Sequence, residues 1–180
     1  MFPVLSVAQD CYDLAGHDYH IDPDLLRAIS FRESSFRTDA LNRVSDEKYA
    51  VGLMQIHSQN FSELRKYGIQ ENMLKHDPCM NIYTGAYYLA KFIHLEKDIW
   101  RGVGAYNAGR EKSLGQERKR QRYADEVYII YRSIKNSRWY IDSILWHYYS
   151  DADKIYADGF IRAGKDFMSP PIKHKNCNYF

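Results

Sequence analysis

The residues best placed to do chemistry centre on Glu33, in the stretch LLRAISFRESSF that runs from Leu25 to Phe36. Wound at about 100° per residue, this stretch puts Leu25, Leu26, Ile29 and Phe36 in one arc about 100° wide, the width of a core-facing stripe. Glu33 falls inside that arc. An unpaired carboxylate out of water costs several kcal/mol, so a carboxyl on an apolar helix face holds its proton longer than in solvent. Such a group is a general acid near neutral pH. It suits cleavage of a glycosidic bond, where the leaving oxygen is protonated as positive charge develops on the sugar. The alternative is a helix that frays after Phe31 and leaves Glu33 solvated.

The elements that must position Glu33 read as mainly helical. Asp22 is placed as N-cap of the first clear helix, with Pro23 at its first position and Asp24 at the positive end of the dipole. From Thr38 to Lys48 the chain is polar and turn-forming, and YAVGLMQIH follows as a short apolar strand or tight loop. Ser58 reads as the cap of a short helix over NFSELRKY. Asp77 and Pro78 open a longer one, in which Ile82, Ala86, Leu89 and Ile93 keep the helical rhythm beside Tyr88 and Phe92. In WRGVGAYNAGR the glycines interrupt that rhythm, so the backbone must turn there or come close to something. ERKRQR then reads as a basic connector, and ADEVYIIYRSI as a resumed helix.

The division expected is a domain over residues 1–136 and an extension over 137–180. In the extension Ile141, Ile144, Leu145 and Tyr148 allow one more helix before a Gly, Ser-Pro-Pro and Lys-rich end. It either packs on the domain or serves a partner.

The 180 residues are 45% hydrophobic and 27% charged, ordinary values for a folded globular chain. A net charge of +2 falls short of a dedicated nucleic-acid binder. The 16 Tyr beside 3 Trp and 8 Phe suit carbohydrate or interface surfaces, and equally an aromatic core. No apolar run approaches the roughly 20 residues of a transmembrane helix. The opening MFPVLSVAQ is either the tail of a trimmed export signal or a first strand or arm. Cys11, Cys79 and Cys177 match no zinc spacing, and one is left over if two pair. His17 and His20 lack supporting ligands and read as surface residues. With no P-loop, GxGxxG or GxSxG pattern, neither a cofactor nor a metal is expected.

RESSF, VGLMQI and GAYNAGR, followed by RYADEVYIIY, resemble in order the motifs of the soluble Slt-type lytic transglycosylases, and DPCMNIYTGAYYL resembles their middle helix. The resemblance spans about Cys11 to Ile134. It is nearest to the small members that accompany type III and type IV secretion, conjugation and pilus machines. It implies an α+β, mostly α, lysozyme-like fold with a small β segment, and a disulfide between Cys11 and Cys79. It also implies a periplasmic location, where disulfides persist.

The implied substrate is peptidoglycan, cut between N-acetylmuramic acid and N-acetylglucosamine with formation of 1,6-anhydromuramoyl ends. Glu33 would be the single acid and base. Gln55 would hydrogen-bond the sugar or its acetamido group, and Met54 would line the cleft wall. Tyr106 and Asn107 would hold the sugar near the cleavage point, and Tyr123 would project its hydroxyl toward Glu33 or the substrate.

Retaining glycosidases place a second carboxylate about 5 Å from the acid. In hen-like lysozymes it sits two residues before the glycine that corresponds to Gly52, and here that residue is Ala50. Asp46 and Glu47 read as solvated loop charges, so anhydro chemistry is favoured over hydrolysis. The rivals are a hydrolytic muramidase and a glycan-binding scaffold. ERKRQR is short and mixed in sign, so no nucleic-acid partner is expected.

Overall fold

In the computed structural model the described backbone covers residues 5–148, with side chains described over 11–137. Helices α1 (Leu5–Tyr19) and α2 (Pro23–Ser34) come first. The opening residues from Leu5 on are therefore helical, where a strand or arm was one expectation. Asp22 caps α2 as its spacing predicts, accepting from the Asp24 amide at 2.9 Å, with Pro23 next in line. The far end of α2 differs from the reading. Ser35 and Phe36 both take left-handed backbone (φ 52° and 61°), and the Ser35 amide closes the last turn on the Phe31 carbonyl at 2.8 Å. Phe36 thus leaves the core arc, lies exposed and tilts against Phe31 with ring centres 5.5 Å apart. No fraying occurs before Glu33, which stays in the last turn.

A three-stranded antiparallel sheet follows, β1 (Leu41–Arg43), β2 (Tyr49–Val51) and β3 (Ile56–His57), in that order. β1 lies inside the polar run expected to be all turn. Its residues are exposed, and pairing with β2 (Asn42 opposite Ala50) rather than burial holds them extended. Residues 52–55 join β2 to β3. Gly52 has φ 76°, and a Cβ there would come within 2.6 Å of the Asn81 Cγ, so only glycine fits. Ser58 is not the expected cap: its hydroxyl donates to the Glu47 carbonyl at 2.7 Å and accepts from the Tyr49 amide at 3.3 Å, binding the hairpin. After a 3₁₀ turn over Ser58–Asn60 come the short helices α3 (Phe61–Arg65) and α4 (Glu71–His76).

The central helix is α5 (Pro78–Glu96), capped by Asp77, which accepts from the Met80 amide at 3.0 Å. Ile82, Ala86 and Leu89 are fully buried along it, whereas Ile93 is half-buried near its end. The Cys11–Cys79 disulfide ties α1 to its first turn across a sequence separation of 68. Helix α6 (Ile99–Ala108) runs straight through Gly102 and Gly104. The expected break is absent, and close approach is the reason for the glycines. A Cβ on Gly102 would stand 2.7 Å from the Ile93 Cα, and one on Gly104 2.7 Å from the Arg120 carbonyl oxygen. Gly109, at φ 67°, ends the helix.

Helix α7 (Leu114–Tyr148) contains ERKRQR in its first turns, so that run is no connector. Arg120 from it donates to the Gly109 and Glu111 carbonyls at 3.0 Å each and pairs with Glu117, fastening the α6–α7 turn. The backbone of α7 passes through Ser137 unbroken and takes in 141–148 as helix. The Ser-Pro-Pro and Lys-rich end and Cys177 lie outside the described residues.

Candidate active site

Glu33 meets three other elements at the end of α2. The hydroxyl of Tyr123, a buried residue of α7, donates to Glu33 Oε1 at 2.6 Å. The Asn107 amide, from the last turn of α6, is placed to donate to the same carboxyl, and His57 of β3 stands close enough to act on its charge. Burial pushes the Glu33 pKa up from the usual 4.5. The Tyr123 hydroxyl, Arg32, Asn107 and His57 each draw it back in part, and burial wins. With Oε1 accepting from Tyr123, Oε2 is the oxygen left to carry a proton when the carboxyl is neutral. The Tyr123 phenol, buried beside that acid, is itself pushed well above its usual range and stays a neutral donor.

The neighbouring cation pairs with another carboxylate. Arg32 pairs with Glu126 at 2.6 Å and lies over the Tyr123 ring at 5.7 Å. Its charge is thereby shared with α7, and among the described residues Glu33 has no direct ion-pair partner.

Beside this cluster runs a groove of about 520 Å³ between the β3 segment, α5 and α6. Gln55, His57, Tyr106 and Asn107 line it, together with Glu63, Tyr88 and Lys91. Gln55 adopts φ 49°, and its amide nitrogen donates to the Gly52 carbonyl at 2.8 Å and the Ala40 carbonyl at 3.2 Å. Its Oε1 has no hydrogen-bond partner among the described residues. Tyr106 forms a wall with its ring, while its hydroxyl donates to the Met54 carbonyl at 2.7 Å.

Met54 is not on the cleft wall, contrary to expectation. It is fully buried against Gly85, with its sulfur accepting from Ser30 Oγ at 3.3 Å. The turn at 52–55 points its methionine into the core, and only its carbonyl serves the site.

Of the expected residues, Glu33, Gln55, Tyr106, Asn107 and Tyr123 come together. Asp46 is exposed and pairs with Arg43 at 3.0 Å, Glu47 is exposed, and Ala50 is buried in β2. The carboxylate among the described groove-lining residues is Glu63. Sequence reasoning missed two residues. His57 was legible in principle, since strand alternation after buried Ile56 turns it outward. Asn81 is the other: its side chain accepts from the Met54 amide at 2.8 Å and donates to the Val51 and Leu74 carbonyls at 2.9 Å each. A lone amide on the apolar stripe of α5, four residues before Gly85, was the available signal.

Several known proteins resemble this chain. The family model for the transglycosylase SLT domain matches residues 10–129. The X polypeptide of Escherichia coli is 56% identical over 131 residues, covering 73% of this chain and 78% of that one. Protein IpgF of Shigella flexneri is 37% identical over 125 residues, covering 69% and 81%. Invasion protein IagB of Salmonella typhimurium is 36% identical over 126 residues, covering 70% and 78%. Among solved structures, lytic transglycosylase Slt of Pseudomonas aeruginosa, determined as an inactive Glu-to-Gln mutant, superposes with a TM-score of 0.56 at 22% identity. That match covers 72% of this chain, which spans 24% of the larger protein, and it shows the shared fold. By its family match and by the identity of these relatives, the chain belongs to the SLT transglycosylase domain family.

Proposed function

We propose that this chain is a peptidoglycan lytic transglycosylase that uses Glu33 as its one acid and base. Glu33 Oε2 protonates the glycosidic oxygen between N-acetylmuramic acid and N-acetylglucosamine as the bond to C1 breaks. The muramoyl C6 hydroxyl then forms the new bond to C1 and returns its proton to the Glu33 carboxylate. Protons balance, no water is consumed, and the product end is a 1,6-anhydro sugar. An internal hydroxyl already near C1 needs no second carboxylate to activate it.

The observation that carries this reading is the buried Glu33 beside the groove, its pKa raised by burial, with a neutral Tyr123 donor and Ala50 where a second carboxylate would sit. Gln55 Oε1 accepts from an acetamido or hydroxyl group, and Asn107 orients the sugar at the cleavage point.

The periplasm is the working compartment, supported by the Cys11–Cys79 disulfide. Local opening of the wall for a secretion, conjugation or pilus machine is the biological task, supported by the motif resemblance and by a relative named as an invasion protein. No described helix is long and apolar enough to cross a membrane. The test is mass spectrometry of sacculi digested by the purified chain. Anhydromuramoyl ends are expected, lighter by one water than reducing ends; reducing ends instead would make the enzyme a muramidase, and no release of fragments would make it a binding scaffold.

A further inference from the structure

The residue before the acid is a cation, Arg32, whose Cα lies about 3.8 Å from that of Glu33. A lone guanidinium in that place favours the ionised carboxylate and works against an acid that must carry a proton. Glu126 supplies the opposite charge: its Oε2 accepts from Arg32 Nε at 2.6 Å. The paired guanidinium lies over the Tyr123 ring, 5.7 Å from its centre, within the range of a cation–π contact. Tyr123 and Glu126 are an i, i+3 pair on α7 and share one of its faces. One turn of α7 thus gives Glu33 a neutral donor and gives its neighbour a counter-charge.

Resting on the transglycosylase reading above, we infer that Glu126 is a positioning residue of the reaction: it holds Arg32 against the Tyr123 ring as half of a neutral pair, so that the cation beside Glu33 is offset. The titratable and charged groups that act on Glu33 are Arg32 on its own helix, Tyr123 on α7, Tyr106 on α6 and His57 on β3. Burial pushes both phenols well above their usual range, and they stay neutral. Arg32 is the permanent cation of the set. It is acted on by both carboxylates, by Glu126 more strongly than by Glu33. The paired side chains are about two-fifths exposed, 43% and 39%, so dissolved salt screens their effect on the acid.

The test is the pH profile of kcat/KM on peptidoglycan, whose basic limb reports the loss of the Glu33 proton in the free enzyme. It compares the full chain with Glu126→Gln, Arg32→Met, the double variant and Glu126→Asp. Glu126→Gln leaves Arg32 without its counter-charge, so the limb moves down by about half a unit, the scale of one partly exposed charge contact. On the basic side of the limb that is about a threefold loss of rate. Arg32→Met moves the limb up, and the double variant falls between the two single ones. Glu126→Asp keeps the charge and keeps the limb near that of the parent. The Glu126→Gln shift shrinks in about 1 M salt. A merely structural role would lower the rate at every pH and leave the limb in place.

A Glu126→Gln limb that stays in place or moves up, that moves equally in Glu126→Asp, or that ignores salt overturns the inference and leaves the transglycosylase reading standing. The midpoint of the Glu33 carboxyl, followed by carbon-13 NMR in the same variants, keeps the same order and needs no turnover. If the chain releases no anhydro ends, the transglycosylase reading falls, and that midpoint alone decides whether Glu126 offsets Arg32: an unshifted one in Glu126→Gln overturns it.

Discussion

Asn81 offers the sharpest test of how the fold builds the site, because one amide holds the turn that carries Gln55. Replacing it with alanine strips a partner from three backbone groups, the Met54 amide and the Val51 and Leu74 carbonyls, all at 2.8 to 2.9 Å. Each buried group left unsatisfied costs about 1 to 3 kcal/mol. Carbonyls keep a second lone pair, so the lower half of the range applies, and Asn81→Ala should lose about 3 to 6 kcal/mol of stability. At the 2 to 4 °C per kcal/mol of a chain this size, that is about 6 to 24 °C in Tm.

Asn81→Asp keeps the shape and separates hydrogen bonding from packing. One carboxyl oxygen still accepts from Met54, but the other faces two carbonyls and must carry a proton to donate. Its folded pKa is therefore raised above the unfolded value of about 3.9. This variant is most stable below about pH 4 and loses stability as pH rises toward the raised folded pKa, after which the loss is complete. Urea unfolding from pH 4 to 8 reads both effects, and kcat/KM falls with them as Gln55 loses its support. A loss below about 1 kcal/mol for Asn81→Ala, against the range above, or a flat pH profile for Asn81→Asp, refutes the reasoning.

Further outcomes follow from the same geometry. Tyr123→Phe removes a hydrogen bond to the ionised Glu33, worth about 1.5 to 3 kcal/mol, so the basic limb of the kcat/KM profile moves up by about one to two units; a limb that stays or moves down contradicts the contact. Because burial raises the Glu33 pKa, its ionised form weakens the fold: the penalty is absent below the usual 4.5, grows as pH rises through it and is complete above the raised value. Glu33→Gln should accordingly match the parent in stability at about pH 4 and exceed it at about pH 7, measured by thermal melts, while turnover drops by about 10² to 10⁴. Reducing the Cys11–Cys79 bond frees a loop with sequence separation 68 and costs about 4 kcal/mol of loop-closure entropy, seen as a Tm drop of about 10 °C.

The legible parts of the structure were those written in local rules. Asp22 and Pro23 announce the start of α2, Asp77 and Pro78 the start of α5, and periodicity marks their buried faces. Glu33 stood out because it breaks such a face. What was not legible depends on partners distant in sequence. Gly102 and Gly104 look like helix breakers until α5 and α7 approach them within van der Waals contact. ERKRQR looks like a linker until Arg120 finds the carbonyls that end α6. Met54 and Gln55 are adjacent, and only the left-handed backbone at Gln55 and the Asn81 clamp decide which side chain enters the core. β1 is exposed and polar, so neither burial nor alternation marks it, and pairing with β2 alone makes it a strand.

The central claim is that burial keeps Glu33 protonated where a solvated glutamate would ionise, so that it can serve as the acid. The direct measurement is a carbon-13 NMR titration of the glutamate carboxyls in the full chain, with the Glu33 signal assigned by its loss in Glu33→Gln. The account predicts a midpoint clearly above 4.5 for that signal. A midpoint at or below 4.5 would contradict it.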